Sequence, residues 1–170
     1  MMQAKSTEIP FVDINGNPIE VFFLAMEYYN LILNRSFAIF VTKNKICGAK
    51  VIGVAAAPTR SYSEYAHLWR DPRNFITKKT IHQYEGIEPE SPEFLKINKA
   101  NFQINCSDVV EIKFIAKKKT SMGAIPHTGS LFIKTSDGKK REFIILADQD
   151  GEDIQNLILR FCYSATIRPT

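Results

Sequence analysis

Regular alternation in the second half of the chain restricts its possible folds more than any other feature. Positions predicted to share a face fall at every second residue in three runs: Phe102, Ile104 and Cys106; Val110, Ile112, Phe114 and Ala116; Leu131, Ile133 and Thr135. Successive side chains of a β-strand point to opposite faces, so this pattern predicts strands with one buried and one exposed face. An Asp137-Gly138 turn leads into a fourth strand over Arg141–Leu146, and together the runs predict an antiparallel sheet.

Two further hairpins are predicted in the first half of the chain. The paired runs are Ile9–Ile14 with Ile19–Met26, across Asn15-Gly16-Asn17-Pro18, and Ser36–Thr42 with Lys45–Ala56, across Lys43-Asn44. The apolar, β-branched runs favour strands, and Asn-Gly favours a tight reversal. The second strand of the first hairpin is ambiguous, and a short helix over Glu20–Leu33 is the alternative. Gly48 and Gly53 indicate a bulge, a bend or a close backbone approach.

An amphipathic helix from about Asp150 to Tyr163 is the clearest single element. Its apolar stripe, at helical spacing, consists of Ile154, Leu157, Ile158, Phe161 and Cys162. Asp150 is a suitable N-cap, and Arg160 near the other end suits the helix dipole. Burial of each large apolar side chain contributes about 1.5–3 kcal/mol, so the stripe is expected to dock on the sheet.

The segment 58–99 differs in composition from the strands and is predicted to be a partly helical insert. One short helix is predicted over Ser63–Arg70. A second begins at the N-cap Ser91, has Pro92 at its first position and extends to about Lys99. The apolar face of this second helix is predicted to consist of Phe94, Leu95 and Ile97.

Aromatic and arginine residues are interspersed within the insert. The candidate binding residues there are Tyr65, Trp69, Arg70 and Arg73. This combination is typical of protein-binding hot spots and of stacking sites for nucleic-acid bases. The structural alternative is a flap whose aromatic side chains cover one mouth of a barrel.

Two basic clusters complete the set of candidate binding residues. They are Lys117, Lys118 and Lys119, after one predicted strand, and Lys139, Lys140 and Arg141, at the start of another. Strand ends separated by one intervening strand are expected to lie on one rim, where they would bind phosphate, nucleic acid or an anionic membrane surface. The structural alternative is solvated lysines that protect sheet edges and aid solubility.

The three cysteines, Cys47, Cys106 and Cys162, are widely spaced, and none belongs to a CxxC pair. That spacing argues against a disulfide framework and against a structural zinc site, so buried, reduced thiols are expected. The first residues are polar, and no apolar run reaches the roughly 18–20 residues of a membrane span. A cytoplasmic protein without a transmembrane segment is therefore expected.

The sequence patterns that carry enzyme chemistry are missing. The three histidines, His67, His82 and His127, are far apart, and the sequence contains no HxH or HExxH motif. No metal or other cofactor is therefore expected. There is no GxSxG and no GxxxxGK[ST]. Alternation predicts that Cys106 points into the core, where a thiol is inert. No catalytic residue is assigned, and the chain is expected not to be an enzyme.

Several segments together resemble one known family. They are Phe37–Lys45, Asn101–Val109, Gly129–Thr135 with the following Asp137–Phe143, and Asp153–Phe161. In their order and their pattern of residue types they resemble the strands, turns and capping helix of prokaryotic pleckstrin-homology-like (PH/GRAM-like) domains. The resemblance implies a strongly bent antiparallel sheet or barrel capped by a C-terminal helix. The first hairpin lacks the dense Lys and Arg cluster with which phosphoinositide-binding members of that fold bind phosphates.

Together these patterns predict one mainly β (α+β) domain over residues 1–170, with the insert at 58–99. The first functional hypothesis is a non-catalytic binding or scaffold module for a protein partner or an anionic surface such as lipid. The alternative is a nucleic-acid-associated protein that uses the basic strand ends and the insert. A small enzyme is the third hypothesis. The net charge of +4 permits an acidic partner without requiring one.

Overall fold

The computed structural model describes residues 22–29, 33–51, 78–122 and 125–163. The strands are β1 (Phe22–Tyr29), β2 (Leu33–Val41), β3 (Lys45–Val51), β4 (Phe102–Asn105), β5 (Val109–Ile115), β6 (His127–Thr135) and β7 (Lys140–Leu146). The α-helices are α1 (Lys78–Tyr84), α2 (Pro92–Ile97) and α3 (Gly151–Tyr163), with 3-10 turns at Cys106–Asp108 and Thr120–Met122.

The seven strands form one antiparallel sheet in the order β4-β3-β2-β1-β7-β6-β5. β1 joins the two halves, since it pairs with β2 through Phe22↔Phe40 and with β7 through Ala25↔Ile145. The sheet curls strongly into a half-barrel. The predicted mainly β architecture, with a bent antiparallel sheet, a C-terminal helix and a helical insert, is confirmed. The described part of Ile19–Met26 is strand, not the alternative helix, whereas its predicted partner Ile9–Ile14 lies outside the described residues.

The inner face of the curled sheet holds the main core, and α3 covers it. Ile154, Ile158 and Cys162 of the predicted apolar stripe are buried there, while Leu157 and Phe161 are half-buried. The helix begins as predicted, because the backbone N–H groups of Glu152 and Asp153 donate to the Asp150 carboxylate at 2.9 and 3.0 Å.

The helix also reaches the edge of the sheet. The Gln155 side-chain oxygen accepts the Phe114 backbone N–H of β5 at 2.5 Å. An N–H at a free strand edge is thereby satisfied within the fold, which fixes α3 against β5.

The outer face of β1–β3 is covered by the insert. Leu24, Phe40 and Cys47 pack there against Tyr84 of α1 and Phe94 of α2. Both faces of these strands are therefore buried, whereas β5 keeps one exposed face. Of the predicted insert helices, Ser63–Arg70 lies outside the described residues, and α1 was not predicted.

Helix α2 begins as the sequence indicates and ends two residues earlier. The Ser91 side chain accepts the Phe94 N–H, and Pro92 occupies the first helical position. The prediction that Leu95 belongs to the apolar face is wrong, because its side chain is 41% exposed. In a helix, successive positions are separated by about 100°, so a residue next to the buried Phe94 points away from the sheet.

A β-bulge changes the predicted pattern at the start of β5. The pairing of β5 with β6 shifts register between Val109 and Glu111. Val109 is buried and Val110 is exposed, so the prediction that Val110 shares a face with Ile112 is wrong. An extra residue in one strand reverses the face to which the preceding side chains point.

The expectation of three reduced thiols is wrong for two of the cysteines. Cys106 and Cys162, 56 residues apart in sequence with Cα atoms 4.7 Å apart, form a disulfide between the turn after β4 and the last turn of α3. Wide sequence spacing gave no sign of the pairing, because the curl of the sheet brings the two residues together. Cys47 is free and buried, as predicted.

Candidate functional site

Among the described residues, neither α3 nor α1 and α2 cover the outer face of β5–β7, and only the loop 116–122 lies on it, where Met122 packs on the buried Ile144. The inner face is marked by Ile112, Ile133 and Phe143, all in the main core, so the intervening residues point outward. We call the part of this outer face beyond the buried Ile144 and Leu146, together with residues 117–121 of the loop, the basic face. Its polar and apolar members are Glu111, Lys113, Ile115, Lys117, Lys118, Lys119, Thr120, Ser121, Ser130, Phe132, Lys134, Lys140 and Glu142.

The basic face has a strong excess of positive charge. Its six lysines and two glutamates leave four net positive charges, which equals the formal net charge of the whole chain. Lys134 lies between Lys140 of β7, a like charge that repels it, and Glu111 of β5, an opposite charge that attracts it. A bound anion would relieve this repulsion, so the face is electrostatically suited to an acidic partner.

The loop 116–122 folds back over the basic face because it is fixed at two points. The Lys119 backbone N–H donates to His127 Nε2 at 2.9 Å, and His127 Nδ1 lies 2.9 Å from the Ile125 carbonyl oxygen. The ring is therefore a neutral tautomer with its hydrogen on Nδ1. Met122 is buried against Met26 and Ile144, which holds the end of the loop on the sheet.

Between this loop and the sheet lies a groove of about 490 Å³, which we call the loop groove. It is lined by Ile115, Lys117, Lys118, Lys119, Thr120, Ser121, Ser130, Phe132 and Glu142. Lys119 forms an ion pair with Glu142, so the one carboxylate in the lining is neutralised. The groove therefore presents ammonium and hydroxyl donors above an apolar floor, a combination suited to an anion.

Lys140 connects the loop groove to the rest of the basic face. Its Nζ atom lies 4.7 Å from the centre of the Phe132 ring. That contact is a cation–π interaction, which holds the ammonium over the ring while leaving it exposed to solvent.

A second groove, of about 620 Å³, lies at the open mouth of the sheet between β4 and the β6–β7 hairpin. Lys139, Lys140 and Arg141 line it, and two of these three cations are engaged in ion pairs. Arg141 forms a bidentate ion pair with Glu27, in which Nε and Nη2 donate to the two carboxylate oxygens at 2.6 and 2.9 Å. The centre of its guanidinium group lies 3.7 Å from the centre of the Phe102 ring. Lys139 pairs with Asp137 at 3.1 Å. This groove is therefore less suited to an anion than the loop groove.

Asp137 has a structural part in the β6–β7 turn. Hydrogen bonds from the Thr135 hydroxyl, at 2.5 Å, and from Lys139 lower the pKa of this carboxyl to about 2. The carboxylate organises the turn as an Asp in a tight turn commonly does.

The structure separates the candidate residues that the sequence grouped. Lys117 follows the end of β5, which lies beside Ser130 of β6, whereas Lys140 lies opposite Lys134 of β6. Ser130 and Lys134 are four residues apart along β6, a distance of about 13 Å. The two clusters therefore lie at opposite ends of β5–β7 and not on one rim. Lys140 shares the basic face with Lys117–Lys119, whereas Arg141 points to the inner face. Tyr65, Trp69, Arg70 and Arg73 lie outside the described residues.

Sequence reasoning missed several members of the basic face. Lys113, Lys134 and Phe132 are isolated in sequence and became neighbours only through the register Lys113↔Phe132 and Phe132↔Glu142. Alternation was the available signal, since it already assigned these residues to the exposed face.

Residues suited to metal binding or covalent catalysis do not form a group in the part of the chain that the structure describes. No three His, Cys, Asp or Glu residues there lie close enough to hold a metal ion. Burial, with a smaller effect of Glu90, raises the pKa of the free Cys47 thiol to about 12, so this thiol is protonated and unreactive at neutral pH. No helix among the described residues has the length and apolar character to cross a membrane.

Within the described residues, fold and site together define a mainly β fold with one largely exposed, positively charged face. No family model matches the chain, and no curated protein matches it. Among solved structures, the chain is similar to the C-terminal domain of an unknown protein from Leishmania infantum, with a TM-score of 0.47 and 9% identity over 88% of each chain. A likeness of that degree supports no argument about function.

Proposed function

We propose that this protein is a non-catalytic binding module of the pleckstrin-homology-like type, and that its basic face binds an acidic segment of a protein partner. The observation that carries the proposal is the concentration of four net positive charges on the basic face. The strongly bent antiparallel sheet and the terminal helix are those that the family resemblance implies, which supports the assignment to this type.

A protein partner fits the chemistry of the face better than a nucleic acid does. The exposed lysines surround apolar side chains, Ile115 and Phe132, and a peptide offers carboxylates and apolar side chains side by side. Stacking of bases needs an open aromatic ring, and the Phe132 ring already carries the Lys140 ammonium. Nucleic acid, an anionic membrane and catalysis are therefore the weaker proposals.

The test is binding of a fluorescent poly-glutamate peptide, measured by anisotropy at several salt concentrations. Lys113→Glu/Lys134→Glu reverses two charges on the basic face and should weaken binding about tenfold, or 1.4 kcal/mol. The control, Lys78→Glu/Lys79→Glu, makes the same charge change on exposed residues of α1 and should change binding less than about twofold.

Three results would overturn the proposal. The first is no binding of the peptide at low salt, and the second is equal weakening by both double variants. The third is tighter binding to single-stranded RNA or to phosphatidylserine vesicles than to the peptide, with the same dependence on the basic face. That result would favour the nucleic-acid or membrane alternative instead.

A cytoplasmic location also remains a proposal, and the Cys106–Cys162 disulfide bears on it. Cytosolic thiols are normally kept reduced. The disulfide therefore weighs against this location. Recovery of the protein in the cytosolic fraction of lysed cells would support a cytoplasmic location, and recovery outside that fraction would contradict it.

A further inference from the structure

We infer that the loop groove is a phosphomonoester site, and that the acidic group it takes from a protein partner is a phosphorylated side chain. This inference rests on the proposed function, because it specifies the anion that the basic face binds. The groove lies at the end of the basic face where the loop 116–122 covers the sheet.

The donors of the groove match a phosphate in number and type. Three hydroxyl groups, those of Thr120, Ser121 and Ser130, line it together with the ammonium groups of Lys117 and Lys118. Each hydroxyl donates one hydrogen and each ammonium up to three. A phosphomonoester carries three strong acceptor oxygens and a charge of about −1.5 to −2 at pH 7. A carboxylate has two acceptor oxygens in one plane and a single charge, so it would leave donors of the groove unused.

The surroundings of these donors strengthen their effect. Ile115 and Phe132 form the apolar part of the lining, and Ser130 is buried. Charge-assisted hydrogen bonds are stronger where water is partly excluded. Glu142 would repel an anion, but Lys119 neutralises it.

The second groove shows why the loop groove is the one that fits. It contains hydroxyl groups too, but the Thr135 hydroxyl donates to Asp137. The carboxylates of Asp108 and Asp137 line that groove, and they would repel a phosphate. A double substitution of exposed serines at that end of the sheet therefore provides a matched control.

The experiment compares three fluorescent peptides that differ at one central residue in an alanine background: phosphoserine, glutamate or serine. Wild-type protein is expected to bind the phosphoserine peptide at least about tenfold more tightly than the glutamate peptide, or 1.4 kcal/mol. Thr120→Ala/Ser121→Ala should remove most of this preference and leave affinity for the glutamate peptide within about twofold. Both residues are exposed, so the variant is expected to fold.

The control variant is Ser107→Ala/Ser136→Ala, which removes two exposed hydroxyls at the other end of β5–β7. It should keep the wild-type preference. The inference is overturned if the phosphoserine and glutamate peptides bind equally, or if both double variants reduce the preference alike. Tighter binding to phosphatidic-acid vesicles than to the phosphoserine peptide would also overturn it, since the phosphomonoester would then come from lipid.

These outcomes separate the inference from the function on which it rests. If poly-glutamate binds through Lys113 and Lys134 while phosphoserine gives no added affinity, only the phosphomonoester site is refuted. If neither anion binds at low salt, the acidic-partner function fails as well.

Discussion

Replacement of Asn101 by leucine should destabilise the protein strongly, because this one buried amide joins the insert to the sheet. Its side-chain oxygen accepts the Lys50 N–H of β3 at 2.9 Å and the Tyr84 hydroxyl of α1 at 2.8 Å. Its side-chain nitrogen donates to the Phe94 carbonyl of α2 at 2.8 Å. Asn101 is 8% exposed, so water cannot readily replace these contacts.

The size of the effect follows from the groups that would lose their partners. In Asn101→Leu, two methyl groups take the places of the amide oxygen and nitrogen, so the side chain keeps its branching and leaves little room for water. The Lys50 N–H and the Phe94 carbonyl would lose these hydrogen bonds, and each buried unpaired group costs about 1–3 kcal/mol. The Tyr84 hydroxyl still donates to the Lys50 carbonyl at 3.2 Å. The expected loss of unfolding free energy is therefore about 2–6 kcal/mol.

Urea unfolding followed by circular dichroism measures this loss. The matched control is Asn156→Leu, the same substitution at an exposed position of α3, which should change stability by no more than about 0.5 kcal/mol. If Asn101→Leu cost less than about 1 kcal/mol, the amide would not hold the insert on the sheet, and the argument would be refuted.

Three further predictions concern the core. Replacing both Cys106 and Cys162 by alanine should lower the free energy of unfolding, measured with urea, by about 4 kcal/mol, because the disulfide closes a loop of 56 residues in the unfolded chain. Three free thiols in unreduced, denatured wild-type protein would contradict this prediction. Gly48→Ala places a Cβ atom against the Phe102 ring and should lower the free energy of unfolding by about 1–3 kcal/mol. In a double-mutant cycle, this loss should be smaller when Phe102 is also replaced by leucine. Burial raises the Tyr84 pKa above 10.0, so the stability advantage of wild type over Tyr84→Phe should be complete below pH 10 and shrink as the pH rises further.

Much of the fold was predictable because a strand or helix that is buried on one face has apolar residues at regular intervals in the sequence. The alternation along β4, β6 and the part of β5 from Ile112 onward and the stripe of α3 both reflect a single apolar face, and both were identified correctly. The bulge between Val109 and Glu111 left no such trace, since an added residue merely shifts the pattern by one position. Helix α1 was missed because only Thr80 and Tyr84 of its seven residues are buried, too few to produce a helical period.

The candidate site was less predictable because it depends on register. Basic residues adjacent in sequence, such as Lys140 and Arg141, were grouped although neighbouring strand residues point to opposite faces. Cross-strand neighbours such as Lys134 and Lys140 were not grouped, because their proximity depends on the length of the turn between them. The same limit hid the Cys106–Cys162 pair, whose members meet only when α3 docks.

The location of the basic face follows from how the sheet is covered. Each strand has two faces, and the described part of the chain supplies one long helix, α3, and two short helices, α1 and α2, to bury them. The helix α3 takes the inner face, and α1 and α2 take the outer face of β1–β3. Beyond the buried Ile144 and Leu146, the outer face of β5–β7 is mostly exposed among the described residues, and apolar residues there would promote aggregation unless charged side chains separate them. The lysines of the basic face meet that requirement, and their uneven distribution goes beyond it. Solubility alone needs no opposed Lys134 and Lys140, and a mixture of signs would serve it equally well. The excess of one sign on the basic face is therefore the feature that a purely structural role leaves unexplained and that an anionic partner accounts for.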